Sequence, residues 1–487
     1  MATFDSVSPT RPREVIATLP VQGAADVDAA VAAAADAQRA WAKVPVPARA
    51  ERIGACAAAL AGGKAELARL VSREAGKVLV EAGGDVQEAV DMAAFIAGQG
   101  RAPWGETAPC ELGSKLAWTT RQAVGVVGMI TPWNFPIAIP AWKVFPALLA
   151  GNGIVIKPSE LAPRCCQAFV ETCLEAGIPS GLVQVVHGGA EPGAALAVHP
   201  GVGAVSFTGS VPTGRKVAAA AMEHGPRVVS LELGGKNAMI VLPDADLELA
   251  VDGAIFGAFG TAGQRCTSTS RLVVAPAVAD ELVARIVDRA RRLRLGDPLD
   301  PGTDVGPIIT AEAADRVVAA IERATAEGAR VACGGSLRRD VPGCEGGSFV
   351  EPTVLTGVKP ETGAAREELF GPVLAVMEAF DLDEAVGIVN SVEYGLSAAV
   401  YTRDINEALR AVEAIDAGIV YVNAPTIGAE IGLPFGGTKH TGNGFREAGI
   451  HGIRQFSQVK TVYVDYSQRL QRAQIDNRQS VSEETSR

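Results

Sequence analysis

The chain has 487 residues, 48% hydrophobic and 20% charged, which excludes a disordered or fibrous state and is the length of about three domains. Its 44 Lys and Arg against 55 Asp and Glu leave a net charge of −11, a poor match to nucleic acid or an anionic membrane surface. Eight cysteines with no CxxC and no zinc-type Cys/His spacing point to neither a disulfide framework nor a metal site, and fit a reducing cytoplasm.

Met1–Arg13 lacks the apolar core of a signal peptide. Apolar residues at helical spacing predict amphipathic helices over 24–44, 47–76 and 85–99. The apolar stretch 123–149 is broken by Asn134, Lys143 and four prolines, so it is no membrane span. From Val124 the pattern changes to short apolar runs, at 124–130, 153–157, 182–187 and 204–207, with a helix over 163–177 between them. Strands alternating with helices predict an α/β fold with a doubly wound parallel sheet. The pattern restarts beyond Gly234-Gly235. Strands are expected at 237–242, 271–275, 397–401 and 419–422, and helices at 247–259, 278–293, 311–328 and 383–390. The polar end, 468–487, cannot bury a face and reads as a mobile tail.

Several short segments could carry chemistry. Cys266, in FGTAGQRCTST, is a strong nucleophile once ionised, or else a small buried hydrophobe. Glu232, in SLELGGKN, ends an apolar run. A carboxyl group in such a setting has a raised pKa and can act as a general base near neutrality, unless it points to water. Asn134, in TPWNFP, follows a strand end and is fixed by flanking prolines, as suits a side-chain oxyanion donor. Gly209 and Ser210, in FTGSVPTG, open a helix whose N-terminus can receive a phosphate. Lys157 and Glu160, in KPSE, could grip a ribose or form a solvated surface pair.

The segments TPWNFP, KPSE, FTGS, LELGGKN, GQRCT, EELFGPV and PFGGTKHTGNG occur in that order over nearly the whole chain. In them the sequence resembles the aldehyde dehydrogenase superfamily. The resemblance implies two doubly wound parallel-sheet domains plus a small oligomerisation β-ribbon. It implies NAD(P)-dependent oxidation of an aldehyde to the acid through a cysteine thiohemiacetal and thioester. Cys266 matches the nucleophile, Asn134 the oxyanion donor and Glu232 the base that hydrolyses the thioester. Thr131, Trp133, Lys157, Glu160, Gly189, Gly193, Gly209, Ser210, Leu233, Glu368 and Phe370 match positions around the cofactor. A carboxylate at Glu160 accepts a bond from a ribose 2′-hydroxyl and repels a 2′-phosphate, which favours NAD, with NADP left open by Lys157.

The matched segments divide the chain into a cofactor domain (1–105 and 124–234), a catalytic domain (235–450), a ribbon (106–123 and 455–467) and the tail. Homodimers or homotetramers follow from the resemblance. Around Ala429–Gly444 and Gly260–Thr267 the chain is similar to branches acting on α-ketoglutaric and α-aminoadipic semialdehydes, so the expected substrate bears a carboxylate. Arg265 could pair it, or serve structure alone. Glu88 falls where the aminoadipic branch carries a glutamate for the substrate amine. Broad aldehyde detoxification, transfer to coenzyme A and a noncatalytic homologue are the alternatives; the presence of Glu232 favours hydrolysis over acyl transfer.

Overall fold

The computed structural model describes residues 2–102, 104–223 and 228–475, so most of the expected tail, 476–487, lies outside the described residues. Strands β1 (Thr3–Val7) and β2 (Val15–Pro20) form an N-terminal hairpin. Four helices follow: α1 (Ala24–Trp41), α2 (Val46–Gly62), α3 (Lys64–Ala75) and α4 (Leu79–Gly98). The single helix expected over 47–76 is two, because Gly62-Gly63 supplies a weak point and the chain bends at Gly63. Helix α4 begins six residues before the expected start at 85. Its Gly83-Gly84 pair masks the helical pattern, and the helix is held by burial of Ala82, Val86, Ala89 and Met92.

Strands β3 (Thr107–Ala108) and β4 (Lys115–Ala123) lead into the first sheet. That sheet comprises β5 (Val126–Thr131), β6 (Gly153–Pro158), β7 (Val183–Val185), β8 (Val202–Thr208) and β9 (Val228–Glu232), all parallel in the order β7-β6-β5-β8-β9. Strand order reverses between β5 and β8, so a crevice opens beyond their carboxyl ends, where such sheets bind ligands. Between β5 and β6 runs α5 (Ala138–Ala150), buried on nearly every side against the sheet and α4. It lacks a polar face because it has no solvent face, which is why periodicity does not reveal it. Helices α6 (Pro163–Glu175), α7 (Ala190–Val198) and α8 (Val211–Glu223) complete the layer.

The second unit contains β10 (Asn237–Val241), α9 (Leu247–Phe259), β11 (Thr269–Val274), α10 (Pro276–Arg292), α11 (Ala311–Ala326), β12 (Arg330–Cys333), β13 (Thr353–Thr356), β14 (Val373–Glu378), α12 (Leu382–Asn390), β15 (Ser397–Tyr401), α13 (Ile405–Ala414) and β16 (Ile419–Val422). Its strands order β12-β13-β14-β11-β10-β15-β16, parallel except for the β12–β13 pair. The amino edge of this sheet faces the carboxyl edge of the first. α14 (Gly449–Gln455) leads into β17 (Ser457–Asp465). β17 runs antiparallel to β4 from Ser457 opposite Ala123 to Asp465 opposite Lys115. It is an edge strand, and Val459 and Tyr463 on it are exposed. Among the described residues no helix is long and apolar enough to cross a membrane, and no group of three His, Cys, Asp or Glu could hold a metal.

Candidate active site

Cys266 lies three residues before β11, at the mouth between the two sheets. The approach to it is conformationally costly. Thr261, Ala262 and Gly263 all adopt positive φ, of 54°, 51° and 68°. The turn is held from outside: both carboxylate oxygens of Glu81 on α4 accept from the Thr261 N–H (2.8 and 3.0 Å), and one also from its hydroxyl (3.1 Å). Gly263 admits no side chain, since a Cβ there would lie 2.2 Å from the Gly371 carbonyl oxygen. Buried Gln264 closes the loop, accepting from the Ile309 N–H (3.0 Å) and donating to the carbonyls of Thr261 and Pro307.

Burial pushes the Cys266 thiol up to about 12, and the carboxylates of Glu368 and Glu232 add to the shift. The backbone N–H groups of Cys266 and Thr267 pull the other way. Asn134, buried just beyond β5, donates one amide hydrogen to the Gln264 carbonyl (3.1 Å), which fixes its side chain beside the loop that carries Cys266. Its other N–H carries no bond within the described residues.

Glu232 terminates β9 and is 3% exposed. Neither carboxylate oxygen has a hydrogen-bond partner among the described residues. Burial first, then the neighbouring Glu447, holds its carboxyl well above the usual range, while Lys143 and Arg446 oppose them. Gly436, at φ 144°, lets Glu232 approach: a Cβ there would stand 2.5 Å from Oε1. Behind it Lys143 of α5, fully buried, pairs with Glu447 and donates to the Ser206 hydroxyl at 2.7 Å.

A cavity of ≈ 360 Å³ runs from Cys266 along the carboxyl edge of the first sheet. Trp133, Asn134, Gly209, Ser210, Leu233, Glu368 and Phe370 line it. Phe370, at φ 53°, meets Trp133 edge-to-face with centroids 5.7 Å apart. Glu368 accepts from the Gly235 N–H at 3.0 Å, and burial lifts its carboxyl to about 7. Two glycines beside the cavity are required by the packing of its walls. A Cβ on Gly234 would collide with Glu368 at 2.0 Å, and one on Gly209 with the Phe207 ring at 2.7 Å. Ser210 stands at the N-terminus of α8, its hydroxyl bonded to Thr213. The thirteen-residue α8 aims its positive end at the cavity.

Not every expected residue meets there. Lys157 and Glu160 pair with each other at 3.2 Å beyond β6, and Gly189 and Gly193 begin α7 beside them, with Lys157 near Gly193. They form a separate patch farther along the same sheet edge. The Thr131 hydroxyl is buried without a partner among the described residues. Arg265 turns away from the cavity. Its guanidinium bonds Thr261 (2.8 Å) and Glu81 (3.4 Å) and sits over the rings of Phe135 and Phe256. Glu88, two turns along α4 from Glu81, makes no hydrogen bond within the described residues. Burial raises it to about 7, with Asp85 adding and Lys77 and Arg265 opposing.

The aldehyde dehydrogenase family model matches residues 1–462. The chain belongs to the aldehyde dehydrogenase family. It is 42% identical over 440 residues to the betaine aldehyde dehydrogenase of Brucella anthropi, covering 90% of this chain and 89% of that one. An NAD-dependent aldehyde dehydrogenase from Sinorhizobium meliloti superposes with a TM-score of 0.93 at 38% identity, covering 96% of this chain and 93% of that one. A Staphylococcus aureus betaine aldehyde dehydrogenase solved with NAD+ does so at 0.93 and 33% identity, covering 96% and 92%. The first and third of these relatives are named for betaine aldehyde, not for the semialdehydes expected from the sequence. The protein is an aldehyde-oxidising, NAD-using enzyme, and the cavity beside Cys266, with a helix N-terminus at its edge, has room and polarity that fit that cofactor.

Sequence reasoning missed Gln264, Glu81, Arg316, Lys143 and Glu447. Arg316 of α11 lines the cavity, but in sequence it is one of many helical arginines. Lys143 did leave a signal: a lone cation inside a helix otherwise apolar throughout requires a buried anion.

Proposed function

We propose that Cys266 is the nucleophile, Asn134 with the Cys266 backbone N–H the oxyanion site, and Glu232 the hydrolytic base. The observation that carries this reading is the convergence, at one mouth, of a half-buried cysteine, a rigidly held amide and a carboxyl group unpartnered among the described residues. The ionised sulfur adds to the aldehyde carbonyl, and the oxygen gathers charge against the free Asn134 N–H. NAD, when bound in the cavity, would accept the hydride that the thiohemiacetal carbon releases as it becomes a thioester. The resulting thioester is attacked by water. Glu232 takes a water proton, the C–O bond forms, and the C–S bond breaks to return the thiolate. A protonated Glu232 cannot act, so it must lose its proton before attack, against burial and the neighbouring Glu447, which oppose its ionisation. Glu160, paired with Lys157, supports NAD over NADP. Thr131, Leu233 and the patch at Gly189 and Gly193 extend the cofactor contacts.

For the substrate we favour an aldehyde whose far end meets α4. A carboxylate-bearing semialdehyde would have to reach Arg265 outside the cavity lined by Trp133 and Phe370, at Nη1, the guanidinium nitrogen without a hydrogen bond in the described residues. The relatives' names and the unbonded Glu88 support a second reading, a cationic aldehyde. Parallel assays with α-ketoglutaric semialdehyde and betaine aldehyde, on the parent, Arg265→Ala and Glu88→Gln, separate them. Selective loss of the first substrate in Arg265→Ala supports the semialdehyde; selective loss of the second in Glu88→Gln supports the cation. Unaltered ratios in both variants refute both anchors. The exposed edge strand β17 supports the homo-oligomer reading, since a single copy leaves Val459 and Tyr463 in water.

A further inference from the structure

We propose that Asn237 is a positioning residue for the nucleophile: by gripping the Cys266 carbonyl it turns the following peptide so that the Thr267 N–H donates to the sulfur. The proposal rests on Cys266 being the nucleophile.

Asn237 opens β10 and is the polar residue of an otherwise apolar buried strand, NAMIV. Its side-chain amide is spent entirely on backbone. Nδ2 donates to the carbonyls of Cys266 (2.8 Å) and Ser268 (2.9 Å), and Oδ1 accepts from the Ser397 N–H at the start of β15 (3.1 Å). That partner set admits one orientation of the amide, since the two carbonyls must face nitrogen and the N–H must face oxygen. Gly235 makes the grip close: a Cβ there would lie 2.5 Å from the Cys266 carbonyl oxygen. The pairing of β10 with β11 is irregular at this point. Asn237 faces Thr269 and Ala238 faces Arg271, so Ser270 is an extra residue, as in the bulges that re-aim side chains beside sites.

The consequence follows from peptide geometry. The Cys266 carbonyl and the Thr267 N–H belong to one planar trans unit and point in opposite directions. With the carbonyl held toward β10, the N–H is directed to the other side, where it bonds the Cys266 sulfur. The preceding peptide is fixed separately, by the Ser268 N–H on the Arg265 carbonyl (3.1 Å), and it carries the Cys266 N–H. Once the aldehyde adds, the Cys266 N–H serves the oxyanion and the Thr267 N–H remains for the sulfur, both when it attacks and when it leaves. The sulfur needs such a donor. The charged groups around it are the carboxylates of Glu368 and Glu232, Tyr421 of β16 is also within electrostatic reach, and Arg265 turns its guanidinium to Glu81.

The test uses the full chain with NAD+. Iodoacetamide labelling of Cys266, followed by mass spectrometry from about pH 7 to about pH 11, gives the midpoint of its ionisation. In Asn237→Leu, and independently in Asn237→Ala, loss of one donor to the thiolate should raise that midpoint by about one unit. Glu368 and Glu232 titrate alike in parent and variant, so the difference between the two profiles is read. First-turnover NADH formation should fall about three-fold at neutral pH and recover as pH passes the new midpoint. NAD+ titration shows that each variant is folded. Thr426→Val frees the next carbonyl, that of Thr267, from its 2.7 Å bond and should leave the midpoint in place. An unchanged midpoint in a folded Asn237 variant, a rate loss independent of pH, or an equal shift in Thr426→Val overturns the proposal. A crystal structure of the parent in which the Thr267 N–H points away from the sulfur does so even where neither variant folds. First-turnover NADH from Cys266→Ala overturns the underlying reading instead.

Discussion

Ionisation of Cys266 is the sharpest quantity that the site offers for measurement. A thiol held at about 12 is ionised at pH 7.5 to about 3 parts in 100,000, against about one in ten for an ordinary cysteine near 8.5. The more basic thiolate recovers about forty-fold in intrinsic nucleophilicity. Without cofactor, Cys266 should therefore react with iodoacetamide about eighty-fold more slowly than free cysteine. Its rate should climb about ten-fold per pH unit past pH 9, with no plateau near 8.5. A cation brought within about 4 Å at an effective dielectric of about 20 contributes about 4 kcal/mol, or about 3 pH units of ionisation. After the loss of basicity, the alkylation rate should rise about forty-fold. NAD+, whose pyridinium ring is cationic, should produce that rise, whereas NADH should not. Mass spectrometry of the Cys266 peptide reads the site apart from the half-exposed Cys110. A plateau near pH 8.5 in the absence of cofactor, or equal rates with NAD+ and NADH, would show that burial does not control this thiol.

Glu232→Gln should give one rapid equivalent of NADH followed by very slow turnover, seen by stopped flow; an undiminished steady rate would exclude it as the base. Asn134→Ala should lower kcat by about 10²–10³, the usual cost of a lost oxyanion donor, with cofactor affinity retained by titration. Lys143→Met leaves Glu447 buried without its cation and should cost about 3–5 kcal/mol of stability in denaturant unfolding. Glu368 ionises as pH rises through about 7, and only the carboxylate accepts from hydroxyl groups on both oxygens. NAD affinity should therefore strengthen from pH 6 to pH 8, and Glu368→Gln should flatten the profile.

The strands of the first sheet and the helices of the second unit were legible because each carries an apolar pattern of its own. Two kinds of feature were not. Helix α5 escaped because complete burial erases helical periodicity, and the Gly-Gly pairs in α2–α3 and α4 misplaced a break and a start. Within the site, Cys266, Asn134 and Glu232 stood in motifs with local chemical sense. Their supports did not: Glu81 lies 180 residues from Thr261, and Lys143 lies 304 from Glu447. Local pattern carries no record of such pairings. Arg265 shows the converse, since its place beside the nucleophile suggested a free cation while a distant helix had already engaged it.

The Glu81 clamp on the turn at Thr261 also bears on how this fold tolerates recombination. The left-handed run before Cys266 is held by a helix from the other half of the chain. A chimera that joins this catalytic half to a relative's cofactor half could build both sheets correctly and still misplace its sulfur. Crossovers that keep the segment around Glu81 with the segment around Thr261 should yield active hybrids at boundaries where others yield folded but inert ones. The inheritable unit of catalysis in this chain is thus a pair of distant segments, not a domain.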